Sequence, residues 1–286
     1  AVQGYAEAQH YLGYCLASGT GVEKDETEAV KWFQKAAEQG HAKAQYNLGC
    51  CLLFGNGVEK DETEAVKWFQ KAAVQGNAEA QYDLGYCLLF GNGVEKDETE
   101  AVTWFRKAAD QGEAEAQYRV GYHLYNGIGT ETNAVEALKW CRKSAEQGYP
   151  NAQYTLGSCH ESGDGVELDT GMAVHWYRKA AEKDVANAQC MLGECYYYGY
   201  GVEVNNEEAV KWFRKAAEQD VAKAQNLLGD CFYCGYGVKT NYWEAAKWYE
   251  KAAKQGHAKA QCSLGYCYEY ITKDLSKAAE WYRKAA

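Results

Sequence analysis

The residues of this chain best suited to chemistry are its twelve cysteines and six histidines. Cys231 and Cys234 have the spacing of zinc and redox sites, but no second pair follows them at metal-ligand spacing. Cys159 and His160 are consecutive in a helical pattern, so their side chains point to different faces. The histidines show no His-x-x-x-His spacing; they are His10, His41, His123, His160, His175 and His257. We therefore expect no catalytic residues, no metal and no cofactor, and a protein that is not an enzyme.

Glycines and carboxylates also have structural explanations. Pairs such as Gly91-x-Gly93 follow a helical pattern and no strand precedes them, so they indicate helix ends and not a phosphate-binding loop. Carboxylates such as Glu26, Glu62 and Glu98 fall in first turns of predicted helices, where they complement the helix dipole.

Most of the cysteines share one position in a repeating pattern. Equivalent helices in a stacked array are about 10 Å apart, whereas a disulfide needs Cα atoms within about 7 Å, so these residues cannot pair with one another. We interpret them as small apolar residues between helices and expect a reducing, cytoplasmic location. They are Cys15, Cys51, Cys87, Cys159, Cys195, Cys231 and Cys267, with His123 at the eighth place.

The chain repeats itself every 36 residues, which the dipeptide Ala-Gln marks. It occurs at Ala8-Gln9, Ala44-Gln45, Ala80-Gln81, Ala116-Gln117, Ala152-Gln153, Ala188-Gln189, Ala224-Gln225 and Ala260-Gln261. Repeats of this length bury an apolar face only by stacking on their neighbours, which predicts a solenoid. We expect a single domain over residues 1–286 with repeats at 6–41, 42–77, 78–113, 114–149, 150–185, 186–221, 222–257 and a truncated 258–286.

Charge and hydropathy restrict the class of partner. The 30 basic and 40 acidic residues give a net charge of -10, which argues against nucleic acid as a partner. No apolar run reaches the length of about 18 residues that a membrane span requires, and no signal peptide is visible. The start, Ala1-Val2-Gln3-Gly4, matches a repeat end at Ala73-Val74-Gln75-Gly76, so we expect a piece of a longer chain. The oligomeric state stays open.

Each repeat has the pattern of a helical hairpin. In repeat two, apolar residues recur at three- and four-residue steps from Ala44 to Leu52, which indicates an amphipathic helix A. Its Gly49 belongs to a position that is glycine in every repeat, which predicts a close helix crossing. The loop Gly55-Asn56-Gly57-Val58 ends helix A. Asp61 and Glu64 then have capping-box spacing and begin helix B, in which the second side chain is expected to reach back to the first residue.

The repeating pattern resembles a known family. The sequence A-x-A-Q-Y-x-L-G-x-x-L-x-x-G-x-G-V-x-x-D-x-x-E-A-V-K-W-F-x-K-A-A-x-Q-G is similar to the Sel-one-like repeat, a relative of the tetratricopeptide repeat, over essentially the whole chain. The resemblance implies an all-α, right-handed superhelix of helix-turn-helix repeats that acts as a scaffold or adaptor, usually without catalysis. Repeat eight lacks the glycine loop, and Asp184 and Asp220 replace a helix-ending glycine, so we expect local distortion there.

Two alternatives to a scaffold remain open. Some secreted, cysteine-rich members of the family are linked to penicillin binding or β-lactamase activity, which would make this chain a hydrolase of cell-wall peptides or β-lactams. Those members carry a paired cysteine on each helix, whereas Cys141 is the one cysteine in a helix B of this sequence. The second alternative is a structural spacer or self-assembly module, because near-identical repeats with exposed ends can stack between chains.

A binding surface is expected on the concave side, which helices A line in arrays of this kind. Tyrosine supplies an apolar face with a polar tip, so this surface predicts a protein or peptide partner with apolar anchors and Lys or Arg. The first tyrosine position, one residue after the repeat's glutamine, can alternatively fill the seam between helices A. The predicted peptide-binding residues are Tyr14, Tyr46, Tyr82, Tyr86, Phe90, Tyr118, Tyr122, Tyr125, Tyr154, Glu194, Tyr198, Asp230, Tyr233 and Tyr266.

Overall fold

The computed structural model describes residues 4–286, and every regular element in that range is helical. The repeat-like start at residues 1–3 lies outside the described part. The helices A are α1 (Ala6–Ser18), α3 (Ala42–Phe54), α5 (Ala78–Phe90), α7 (Ala114–Asn126), α9 (Pro150–Ser162), α11 (Ala186–Tyr198), α13 (Ala222–Cys234) and α15 (Ala258–Cys267). The helices B are α2 (Glu26–Glu38), α4 (Glu62–Val74), α6 (Glu98–Asp110), α8 (Ala134–Glu146), α10 (Thr170–Glu182), α12 (Asn206–Glu218), α14 (Tyr242–Lys254) and α16 (Leu275–Ala285). The predicted all-α class with consecutive helix pairs is confirmed.

The chain divides into two compact blocks. The N-terminal block ends at Gln147 and the C-terminal block begins at Gly148. Inside each block, helix A packs on helix B of its own repeat, and that helix B packs on the next helix A. The core consists mainly of helix B alanines and, in most repeats, one large ring of helix B, such as Phe69 or Phe213, both fully buried. Small residues let neighbouring helices approach closely while the ring fills the space between them.

Close approach explains the glycine within each helix A. A Cβ at Gly49 would lie 2.6 Å from the Phe69 ring and 3.3 Å from the Ala65 carbonyl oxygen. At Gly121, where Cys141 replaces the ring, a Cβ would lie 2.9 Å from the Ala137 carbonyl oxygen. The predicted close helix crossing is therefore confirmed in both arrangements.

Helix B is fastened to helix A by its capping residue. The Asp61 carboxylate accepts the backbone N–H of Glu64 at 2.9 Å, as predicted. The prediction that the Glu64 side chain reaches back to the Asp61 N–H is wrong. That N–H donates to the Leu52 carbonyl at 2.9 Å instead. Glu64 turns outward and accepts a bond from Lys67 at 2.9 Å. The N-cap thus joins the two helices of a hairpin as well as starting the second.

The two loop glycines have different functions. Gly55 ends α3 in the left-handed conformation, with φ 76°. Gly57 also has a positive φ, and a Cβ there would overlap the Glu26 carbonyl at the start of the preceding helix B. The second glycine of the loop is therefore an inter-repeat contact, which its sequence position alone did not reveal.

The repeat's glutamine forms a buried polar ladder. Gln81 donates from Nε2 to the Ala73 carbonyl of the preceding repeat at 3.0 Å, and its Oε1 accepts a bond from Gln111 at 2.7 Å. The same arrangement occurs around Gln45, with Ala37 and Gln75 as partners. The residue that marks the period in the sequence thus satisfies a buried carbonyl at these joints.

The prediction of local distortion at Asp184 and Asp220 is wrong. Both residues adopt the left-handed conformation, with φ 67° and 61°. The Val185 N–H still donates to the Ala180 carbonyl at 3.2 Å, as in a joint that has glycine. Aspartate tolerates this conformation better than most residues, and the Asp184 carboxylate accepts bonds from Gln189 at 2.8 Å and Gln219 at 3.2 Å.

Repeat eight differs from the others as its sequence suggested. After α15 the chain forms a π-helix at Tyr268–Thr272 and reverses at Lys273, which has φ 59°. Helix α16 then begins without a glycine loop. The shorter connection is accommodated by this wide turn.

Candidate functional site

The first predicted tyrosine position lies in the seam between helices A of the N-terminal block. Tyr46, Tyr82 and Tyr118 are half-buried. The rings of Tyr46 and Tyr82 lie 5.9 and 5.5 Å from those of Phe69 and Phe105. Contact with the core leaves these tyrosines with only part of their surface for a ligand.

Polar contacts cross the joints between neighbouring helices A. The Tyr46 hydroxyl of repeat two interacts with the Asp83 carboxyl group of repeat three. In repeat one the equivalent His10 lies 3.0 Å from Asn47 of repeat two, measured from Nε2 to Nδ2. The residue after the repeat's glutamine therefore joins neighbouring helices A in both places.

The outward aromatic residues of the N-terminal block are exposed. Tyr86 and Phe90 lie one turn apart on α5, with ring centroids 4.5 Å apart. Tyr122 and Tyr125 occupy α7, and Tyr14 lies on α1. Phe90 is 55% exposed. The structure thus presents five of the predicted side chains to solvent.

Asp83, three residues before Tyr86 on α5, belongs to an acidic group. Burial raises the pKa of Asp83 to about 6, the bond from Tyr46 opposes this rise, and the carboxylates of Glu115, Glu79 and Glu113 add to it. Arg119 of α7 pairs with Glu115 at 3.8 Å. The region therefore has more negative than positive charge and is suited to a cationic side chain.

In the C-terminal block, the predicted acidic residues already have cationic partners. Glu194 is paired with Lys223 at 2.6 Å, and Asp230 with Lys259 at 2.9 Å. Asp230 also accepts a bond from the Tyr249 hydroxyl at 2.7 Å. A ligand would have to displace these lysines to reach either carboxylate. Tyr154 is half-buried, with its ring 5.9 Å from that of Tyr177.

The remaining predicted tyrosines belong to two groups of contacting rings, which together we call the tyrosine band. One group consists of Tyr197, Tyr198, Tyr200 and Tyr236, and the other of Tyr233, Tyr242, Tyr266 and Tyr270. Ring contacts join repeats six and seven, with Tyr197 and Tyr236 5.9 Å apart, and repeats seven and eight, with Tyr233 and Tyr266 6.1 Å apart.

The predicted site omitted the loop members of the band. Tyr200 and Tyr236 are the middle residues of the Gly-x-Gly loops in repeats six and seven, and Tyr242 begins α14. Tyrosine does not occur at that loop position in the earlier repeats, so this substitution is the signal that could have revealed them.

Within residues 4–286 none of the twelve cysteines forms a disulfide, and several are poor nucleophiles. Burial raises the pKa of Cys87, Cys195 and Cys231 to about 12, so the reactive thiolate is scarce at neutral pH. Within residues 4–286, no three His, Cys, Asp or Glu side chains are grouped as metal ligands would be. Over the same range, no helix is both long and apolar enough to cross a bilayer.

Comparison with known proteins identifies the repeat. The Sel1 repeat matches residues 6–41, 42–77, 78–113, 114–149, 150–185, 186–221, 222–257 and 258–286. The crystal structure of c5321, a protective antigen present in uropathogenic Escherichia coli strains that displays an SLR fold, has 37% sequence identity and a TM-score of 0.90. The match covers 99% of this chain and 61% of that one, so this chain spans about three fifths of its length.

A second solved structure is also similar. The Sel1 repeat protein from Oxalobacter formigenes has 37% identity and a TM-score of 0.73, with 90% of this chain and 74% of that chain covered. No curated protein matches this chain significantly. Because the repeat matches almost every residue and the helix pairs superimpose on those of solved Sel1 repeat proteins, the chain belongs to the Sel1 repeat family.

Proposed function

We propose that the protein is a non-catalytic scaffold that binds a protein or peptide along the outward faces of its helices A. The observation that carries this proposal is the exposure of Tyr86, Phe90, Tyr122 and Tyr125 on two neighbouring helices A. A solvent-exposed aromatic cluster on a rigid helical framework buries large apolar area on binding at little entropic cost. Sel1 repeats also commonly mediate protein interactions.

The partner's chemistry follows from the charge beside these rings. Asp83, with the carboxylates of Glu79 and Glu113 near it, favours a cationic group close to the apolar surface. We therefore expect a peptide in which aromatic or aliphatic anchors alternate with Lys or Arg. The net charge of -10 also attracts a positively charged partner at longer range.

A hydrolase has less support than a scaffold. A cysteine nucleophile needs a lowered pKa and access to substrate, whereas burial raises the pKa of Cys87 and Cys231, two of the cysteines at the repeated position. Labelling with a β-lactam probe tests this alternative directly, and a covalent adduct would contradict a purely binding role.

A display selection tests the binding surface. Random dodecamer peptides are selected on the native protein and counter-selected on a variant that carries Tyr86→Ser, Phe90→Ser and Tyr122→Ser. Serine occurs at the equivalent positions Ser158 and Ser162, so the fold accepts it. We expect enriched peptides with apolar anchors and Lys or Arg.

A photo-crosslinker then locates the bound peptide. Benzoylphenylalanine replaces Tyr122 in one sample and Gln70, an exposed residue of α4, in the control. We expect crosslinks from position 122 alone. Peptides that bind the serine variant equally well, or that crosslink only from position 70, would show that the helix A surface is not the binding site.

A further inference from the structure

The tyrosine band is a second aromatic surface with its own character. Six of its eight members are exposed, and Trp243, which follows Tyr242 at the start of α14, is 64% exposed. In repeats one to four, the loop position of Tyr200 and Tyr236 holds Thr20, Asn56, Asn92 and Ile128. The band is therefore specific to the last three repeats and is not a requirement of the fold.

Ion pairs or hydrogen bonds already engage the carboxylates that border the band. Lys223 and Lys259 pair with Glu194 and Asp230. Glu269 accepts a bond from the Tyr282 hydroxyl at 2.8 Å. A strongly charged ligand would have to break these pairs, so the band fits an uncharged partner with apolar surface and hydrogen-bond acceptors.

The same ion pairs define the spacing of the surface. Lys223 of α13 bonds to Glu194 of α11, and Lys259 of α15 bonds to Asp230 of α13, so consecutive helices A lie side by side. Equivalent helices in a stacked array are about 10 Å apart. A polyproline II helix rises about 3.1 Å per residue with three residues per turn, which gives about 9.3 Å per turn. One turn of such a peptide therefore matches one repeat.

The chemistry of the tyrosine band also matches that of a polyproline II segment. A polyproline II segment has no internal hydrogen bonds, so its carbonyl groups are free to accept bonds from phenol hydroxyls. Its proline rings pack on aromatic faces without the ordering cost of a flexible chain. We propose that the tyrosine band binds an uncharged proline-rich segment in the polyproline II conformation, one turn per repeat. This inference rests on the proposed peptide-binding function and extends it to a distinct surface and class of partner.

Fluorescence anisotropy with a defined probe tests the inference. The probe is a fluorescein-labelled (Pro-Pro-Ala)₄ peptide, and (Gly-Gly-Ala)₄ of the same length is the flexible control. The band variant combines Tyr198→Ser, Tyr236→Asn and Tyr266→Ser, which are residues found at the equivalent positions Ser162, Asn92 and Ser158. The control variant combines Tyr5→Asn and Tyr11→Asn, two exposed aromatic residues of repeat one whose equivalents are Asn77 and Asn47. Circular dichroism establishes that all variants are folded.

We expect the proline probe to bind the native protein and the control variant within about twofold of each other, and the band variant at least about tenfold more weakly. Absence of binding at about 1 mM probe, equal binding of the band variant, or equal binding of the glycine peptide would overturn the inference.

The display selection described for the N-terminal block distinguishes failure of the proline-rich inference from failure of the proposed function. Basic, aromatic peptides that bind the helix A surface while the proline probe does not would refute the proline-rich partner alone. If neither kind of peptide binds, both the inference and the proposed function fail.

Discussion

His123 occupies the position that seven other repeats fill with cysteine, and it is almost completely buried. Its Nδ1 lies 3.0 Å from the Ile128 carbonyl oxygen. Burial lowers the pKa of His123; the bond to Ile128 and the charge of Glu98 oppose this change, and Arg119 adds to it. The folded protein therefore holds this imidazole neutral at a pH where the unfolded chain already takes up a proton.

We predict that His123→Cys makes the protein less sensitive to acid. A lowered pKa in the folded state contributes stability above the unfolded pKa of about 6.5, and this stability is lost as the pH falls below that value. Urea unfolding at pH 7.5 and pH 5 measures the effect. The difference in midpoint between the two pH values should shrink in the variant. An unchanged difference, or one that His175→Gln reduces equally, would show that His123 does not control the acid response.

Gln81 provides the second prediction at the scale of the residue. Replacement by Ala leaves the Ala73 carbonyl and the Gln111 amide without their bonds in a buried joint. An unsatisfied buried polar group costs about 1–3 kcal/mol of stability. Chemical denaturation of Gln81→Ala should show a loss in this range, whereas Gln70→Ala on an exposed helix face should change stability by less than about 0.5 kcal/mol. Equal effects of the two substitutions would contradict a structural function for the ladder.

At the scale of the element, the loop glycines permit a matched comparison. Gly21 and Gly57 hold equivalent positions, with φ 73° and 71°. A Cβ at Gly57 would overlap the Glu26 carbonyl, whereas nothing lies within 4 Å of a Cβ at Gly21. Both alanine variants carry the strain of a left-handed residue, about 1–2 kcal/mol, but only Gly57→Ala adds a backbone clash.

We therefore predict that Gly57→Ala is more destabilising than Gly21→Ala by at least about 1 kcal/mol. Thermal and urea unfolding of both variants measure the difference. If the two substitutions cost the same, the second loop glycine is required only for its backbone conformation, and the contact between repeats contributes nothing.

Sequence reasoning predicted the hairpins well because their signals are local. The capping residue Asp61, the helix-ending Gly55 and the apolar period of α3 each act within a few residues of the chain. It failed where a residue acts on the neighbouring repeat. The contact of Gly57 with Glu26 and the bond of Gln81 to Ala73 require knowledge of how repeats stack.

The candidate site shows the same limit. The pattern predicted which helix faces carry Tyr86 and Tyr122, and both are exposed. The same reasoning could not show that Lys223 forms an ion pair with Glu194, since the pairing depends on the distance between two helices. It also treated the Gly-x-Gly loops as helix ends, so it did not include Tyr200 and Tyr236 among the binding residues.

At the scale of the whole molecule, each repeat depends on its neighbours for burial. Leu12 of α1 is 39% exposed, whereas its equivalents Leu48 and Leu84 are 4% and 3% exposed because a preceding helix B covers them. A helix that lacks this cover has less apolar area holding it in place. Stability in a repeat array is the sum of such local terms, so it should vary along the chain.

We predict that, within the N-terminal block of this 286-residue chain, amide hydrogen exchange is faster in α1 than in the interior helices, with α5 protected at least about tenfold more than α1. Exchange measured by mass spectrometry on peptides from both helices tests this. Leu12→Ala should leave the exchange of α5 nearly unchanged, since contacts pass only between neighbours, while Leu84→Ala should accelerate exchange in α4, α5 and α6 together. Uniform protection across the block, or acceleration that extends to all of its helices in either variant, would show that the repeats unfold as one cooperative unit and that the nearest-neighbour description does not hold.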